Sequence, residues 1–222
     1  MRVQFYKTLF FLALLWVVSP TSLFAMHIIG GEMSYECTGP GAQGTNRYIF
    51  TLKVYRDCNG GGAPFDNPAE IAIYRGSINN NSMFESFQIS NPFETRIIPD
   101  TPECVANVPN VCVEQAIYTF TRDLPINGTQ SYFIVYQRCC RNVTISNLVN
   151  PGDAGATYAI ELTPTAQSSC NSSPVFSDFP PVIICNNFAL NFDHSATDAD
   201  GDQLVYSFCS PVNGGGPLLS PP

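Results

Sequence analysis

Asp198, Asp200 and Asp202 stand at alternate positions in the segment Ala196-Thr197-Asp198-Ala199-Asp200-Gly201-Asp202-Gln203-Leu204-Val205-Tyr206. Carboxylates at this spacing, around a glycine that permits a tight turn, can bring hard oxygen ligands to one Ca²⁺. The motif is not an EF-hand. A loop begun at Asp198 would need its bidentate glutamate at position 209, which holds Cys209. The plainer reading of the same residues is a solvated Asp-Gly turn leading into a strand. The sequence therefore carries Ca²⁺ as its one candidate cofactor, with Asp198, Asp200 and Asp202 as its ligands.

Sulfur is the second chemistry. Nine cysteines occur, at Cys37, Cys58, Cys104, Cys112, Cys139, Cys140, Cys170, Cys185 and Cys209. In an exported chain such a set reads as a disulfide framework. Cys104 and Cys112 bracket a proline-containing loop and can pair locally; Cys170 and Cys185 can staple a junction further on. Cys139 and Cys140 end an apolar strand, where adjacent side chains point to opposite faces, so separate partners are the natural expectation and a vicinal bridge the alternative. The odd count leaves one sulfur over, with Cys209 the candidate. Zinc fails, because there is no Cys-x-x-Cys or His-x-x-x-His spacing and the only histidines are His27 and His194.

Catalytic motifs are missing as well. Ile28-Ile29-Gly30-Gly31 is similar to the N-terminus of an activated trypsin-like protease, but no Gly-Asp-Ser-Gly-Gly segment accompanies it. No Gly-x-Ser-x-Gly elbow or phosphate loop occurs. Nothing singles out a glycosidase pair among the 18 acidic residues. The expectation is a protein that is not an enzyme.

The elements that would position these residues are strands. Short β-branched and aromatic runs alternate with Gly, Pro, Asn and Asp clusters, as in a sandwich or barrel. In Arg47–Arg56 the residues Tyr48, Phe50, Leu52 and Val54 share one face and Ile49, Thr51, Lys53 and Tyr55 the other. Further strands are expected at Ile28–Tyr35, Ala69–Arg75, Met83–Ile89, Thr95–Ile98, Val111–Arg122, Ser131–Arg138 and Thr157–Thr163. These give one sandwich over residues 26–165. A Ser- and Asn-rich linker, 166–174, follows. A second sandwich module is expected to start within 175–222, with strands at Val182–Cys185, Phe188–Phe192 and Gln203–Cys209. Three strands cannot close a sandwich of about seven, so this module reads as cut short, which would also strand one cysteine.

Residues 1–25 read as an export signal. Arg2 and Lys7 precede the apolar run Leu9–Val18, and Leu23-Phe24-Ala25 offers a cleavage site. Ten apolar residues span only about 15 Å as a helix, too little for a bilayer. No later run is long enough either, so no transmembrane segment is expected after signal removal. Formal charge is −8, and removing Arg2 and Lys7 takes it to −10, with Lys53 the last lysine. A surface of that sign repels phosphate backbones, which excludes a nucleic-acid partner.

Four stretches, in order, carry a family resemblance: His27-Ile28-Ile29-Gly30-Gly31-Glu32-Met33, Leu52-Lys53-Val54-Tyr55-Arg56-Asp57-Cys58, Arg138–Asn142, and Phe192–Asp202. Together they resemble the N-terminal region of large surface proteins of gliding bacteria. The resemblance implies PKD-like or cadherin-like repeats and a C-terminal sorting domain read by the type IX secretion system. No sorting domain is present in this sequence. The aspartate spacing is similar to the calcium motif of cadherin-like repeats, and Asn171-Ser172-Ser173-Pro174 resembles their linker without its flanking acids. The combined expectation is an all-β, disulfide-braced chain of Ig-like or cadherin-like sandwiches, secreted to the outer cell surface. Its expected role is structural or adhesive, in surface adhesion or gliding. Expected partners are other sandwich repeats of the same protein, with polysaccharide or protein ligands at the surface. A glycan-binding module is the rival reading and an accessory domain of a secreted hydrolase the third. The only tryptophan, Trp16, departs with the signal, and most tyrosines fall within strand patterns.

Overall fold

The computed structural model describes residues 28–59, 63–107, 109–210, 212 and 214. The expected signal at 1–25, and His27 of the first resemblance stretch, lie outside the described residues. So does most of the glycine- and proline-rich stretch from 211 to 222.

Eight strands form two four-stranded antiparallel sheets around one core. In chain order they are β1 (Ile28–Pro40), β2 (Thr45–Asp57), β3 (Ala69–Arg75), β4 (Met83–Ile89), β5 (Phe93–Ile97), β6 (Val113–Pro125), β7 (Tyr132–Cys139) and β8 (Gly155–Leu162). The first sheet runs β1-β2-β6-β5 and the second β4-β3-β7-β8. The chain lays down a hairpin in one sheet, then one in the other, and repeats. Inner strands β2 and β6 pair without a break from Thr45 opposite Pro125 to Asp57 opposite Val113.

Side-chain alternation builds the core. Tyr48, Phe50, Leu52 and Val54 on β2 are each 0% exposed, and burying each of the three purely apolar side chains, Phe50, Leu52 and Val54, stabilises by roughly 1.5–3 kcal/mol. Phe50 stacks on Phe120 of β6 with ring centroids 5.2 Å apart, and Phe87 of the opposite sheet meets Phe120 edge-on at 5.4 Å. Strand β7 contributes Tyr132, Ile134 and Tyr136 to the core, and Val135, on its other side, is also buried. At the edge of the sandwich β1 passes so close to β8 that Gly31 has no room for a side chain. A Cβ there would lie 2.8 Å from the Tyr158 ring and 2.9 Å from the Lys53 carbonyl oxygen.

Two expectations change. The linker begins as a helix, α1 (Pro164–Ser169), not as a structureless loop. Thr163 caps it by accepting from the Ala166 backbone N–H at 3.1 Å, and Pro164 supplies the fixed φ of a first helical position. Helix α1 buries Gln167, whose side chain donates to the Gln130 and Leu162 carbonyls and accepts from the Asn127 backbone N–H. Beyond it, the strands expected at Val182–Cys185, Phe188–Phe192 and Gln203–Cys209 do not form. A strand needs a hydrogen-bonded neighbour, and among the described residues these segments have none. Two short strands pair instead: β9 (Val175–Phe176) with β10 (Ala196–Thr197).

Candidate functional site

The candidate site is the junction where the acidic loop meets the chain leaving α1. Cys170 ends α1 in the left-handed conformation (φ 53°) and is joined to Cys37 on β1. Strand β1 is an edge strand, and the residues after Cys170 run along it. Ser173 donates its backbone N–H to the Tyr35 carbonyl at 2.9 Å, and its hydroxyl accepts from the Tyr35 N–H at 2.8 Å. The Ser172 hydroxyl accepts from the Cys37 N–H at 3.3 Å. The β1 edge of the first sheet is thus covered by hydrogen bonds at Tyr35 and Cys37 and locked there by a disulfide, which hinders pairing with another chain along that stretch.

The β9–β10 ladder starts directly after this tract and brings residues 198–202 back to it. Asp200 accepts from the Ser172 backbone N–H at 2.6 Å, and Asp202 accepts from the Asn171 side-chain amide. Asp198 turns inward, its Oδ1 accepting from the backbone N–H groups of Asp200 and Asp202 at 2.9 and 3.0 Å. Gly201 makes the turn at φ +80°, where a side chain is strained. The acidic loop leaves a mark on its neighbourhood. Burial first, then Tyr48, Glu161, Asp198 and Asp200, carry the Tyr35 phenol up to about 12.

The three aspartates expected to hold Ca²⁺ therefore share one turn, and their oxygen-only chemistry suits that ion. Their ligand atoms do not converge. Among the described residues, the group of ligand-type side chains whose atoms lie within 4.8 Å of one another is Cys58, Cys112 and Glu114. Cys58 and Cys112 are disulfide-bonded to each other, which removes them as metal ligands. All three aspartates act as hydrogen-bond acceptors: Asp200 and Asp202 fasten the loop to Ser172 and Asn171, and Asp198 holds the turn itself. The sequence marks Asn171 and Ser172 as part of a linker resembling that of cadherin-like repeats, but not as hydrogen-bond partners of Asp202 and Asp200, because a Ser/Asn linker carries no periodicity.

Cys104, Cys112 and Cys185 depart from the local pairings that spacing suggested, whereas Cys139 and Cys140 take the vicinal alternative in place of separate partners. Cys112 bonds Cys58 across the end of the β2–β6 ladder, Cys104 reaches Cys185 in the later segment, and Cys139 bonds its neighbour Cys140. Cys209 is exposed and has no sulfur partner among the described residues. Beside the vicinal pair, Arg138 is buried. It donates to the Pro64 carbonyl at 2.6 Å and lies 3.5 Å from Asp66, which also accepts from the Tyr136 hydroxyl at 2.7 Å. This cluster fastens the strap leading into β3. No family model, curated protein or solved structure matches the chain.

Proposed function

We propose that the chain is a non-enzymatic structural and adhesive module of a secreted surface protein, built to carry load. One observation supports this above all: the Cys37–Cys170 bridge closes a loop with a sequence separation of 133. Tension entering at β1 and leaving beyond α1 crosses that bridge and bypasses nearly all of the two-sheet core. Further support comes from the linker hydrogen-bonded to β1 and from the acidic loop fastened to the linker.

The finer reading places the fold among Ig-like or cadherin-like sandwiches. It places the chain at the outer surface of a gliding bacterium, exported by the type IX route, with other sandwich repeats as neighbours. Disulfides suit an oxidising compartment, and among the described residues no helix is long and apolar enough to cross a membrane. The same reading assigns Ca²⁺ to Asp198, Asp200 and Asp202 as a stiffener of the junction. Binding would have to draw together carboxylates that now lie apart.

Single-molecule stretching from the two ends tests the load-bearing role. The oxidised chain is expected to release only the residues outside the bridged loop. Reduction should add roughly 450 Å of contour, from 133 residues at about 3.4 Å each. Equal extension with and without reductant would defeat the proposal. For calcium, titration calorimetry of the folded chain should show uptake that Asp200→Asn removes; silence at millimolar ion would remove Ca²⁺ from the account.

A further inference from the structure

Between the outer face of the first sheet and the segment following β9 lies a cleft of about 690 Å³. That volume is within the range of small-ligand sites, which pair apolar walls with a few placed polar groups. The floor is polar. Glu32 Oε1 accepts from the Lys53 ammonium at 2.9 Å and from the Tyr55 hydroxyl at 3.0 Å, and the Gln115 amide donates to the Tyr55 oxygen at 3.3 Å. The wall is aromatic. Phe179 lies 4.7 Å from the Tyr55 ring, Phe192 stands edge-on to His194 at 4.5 Å, and Phe176 of β9 is 51% exposed.

Two properties select the ligand. Charge is the first. Glu32 and Lys53 neutralise each other, Asp178 adds an acid to the lining, and the chain carries −8 overall. An anionic polymer is repelled, and no unpaired cation is there to attract one. Hydrogen-bonding capacity is the second. Among the described residues the network leaves Glu32 Oε2, the Gln115 carbonyl and two ammonium hydrogens of Lys53 without a protein partner. Acceptors and donors side by side match neighbouring hydroxyls, each of which can donate and accept. A ligand with hydroxyls on its edge and C–H bonds on its face fits the rest, because polarised C–H groups are attracted to the negative face of an aromatic ring.

We infer that this cleft binds a short stretch of a neutral polysaccharide, with the sugar face against Phe176 and the hydroxyl edge on Glu32, Lys53 and Gln115. This supplies the ligand that an adhesive module needs, and it rests on that reading only for its purpose. Binding succeeds or fails in the purified chain whatever load the Cys37–Cys170 bridge bears.

Calorimetry of the full exported chain against cellotetraose, maltotetraose, laminaritetraose and chitotetraose, with polygalacturonate as the acidic control, tests it. At least one neutral oligosaccharide is expected to bind at or below about 1 mM, and both Phe176→Ala and Lys53→Met should weaken it about tenfold or more. Lys53→Met sits on the rigid floor, so it keeps the test decisive should Phe176→Ala loosen β9. No neutral binder at millimolar concentration, binding of the acidic polymer alone, or binding untouched by Lys53→Met would each overturn the inference.

Discussion

Residues 28–169 and residues 175–210 both carry β-branched and aromatic runs and fold very differently. In the first region, alternating apolar residues face another sheet: Phe50, Leu52, Ile71, Ile73 and Ile134 are all fully buried. In the second, Phe188, Leu190, Val205 and Phe208 stand 62–108% exposed, and the only ladder pairs two residues with two. Strand propensity is common to both. What separates them is whether a neighbour supplies hydrogen bonds and a face to cover. The first region holds itself by burial. The second is held at three places: by the Cys104–Cys185 bridge, by Asp200 and Asp202 on the linker, and by Phe179 against Tyr55.

The contrast predicts its largest effect at high pH. Burial raises the phenols of Tyr35, Tyr48, Tyr55, Tyr74, Tyr118, Tyr136 and Tyr158, all within residues 28–169, and Tyr35 and Tyr158 reach about 12. In the unfolded chain these groups lose their protons near 10.0. The folded state binds more protons above that point, so its stability is intact below pH 10 and falls as pH climbs from 10 through 12. Circular dichroism followed alongside tyrosinate absorbance should show ionisation and loss of the sheets as one late, cooperative event. Ordinary titration near pH 10 with the sheets retained would contradict the burial of these rings.

Truncating the core is next in size. Phe50→Ala removes a ring that is 0% exposed and stacked on Phe120, and should lower unfolding stability by about 3–5 kcal/mol in a denaturant titration. A loss below about 1 kcal/mol would mean the two sheets do not pack against each other as described. Gly31→Ala is smaller. Its Cβ would press on the Lys53 carbonyl, which is backbone, and on Tyr158, for a loss of about 1–3 kcal/mol. No loss would mean β1 and β8 are further apart.

These positions also mark how far the sequence could be read. The two faces of β2 and the limits of β3 and β4 follow from period-two patterning, which reports burial directly. Helix α1 had a local signature in Thr163-Pro164, but six residues are too few for helical periodicity to register. The failed strands at 182–185, 188–192 and 203–209 have the right residue types, and patterning cannot tell whether a partner strand exists. The long-range disulfide partners were illegible for the same reason, whereas the vicinal Cys139–Cys140 bond was open on the sequence as an alternative. Cys37 and Cys170 meet only because β1 is an edge strand and α1 ends beside it. The Asp198–Asp202 turn was readable from Gly201 onward, whereas its attachment to Asn171 and Ser172 depends on the β9–β10 register. The cleft floor combines Glu32, Lys53 and Gln115 from three different strands, a grouping that no linear spacing encodes.

The smallest effect is the sharpest check on the comparison. Phe208 is 108% exposed and Val205 88%, so Phe208→Ala and Val205→Ala remove apolar surface that water already covers. Each should change unfolding stability by no more than about 0.5 kcal/mol, as surface substitutions do. The same chemical change at Phe50 is expected to be several times larger, so the ratio between the two phenylalanines measures how unequal the regions are. A loss above about 1 kcal/mol at Phe208 would show that the 175–210 segment buries this ring in solution. Sedimentation of both proteins would then locate the cover. If the substitution also lowers the assembly state, a second copy supplies the missing face; if it does not, the segment folds back on its own sandwich.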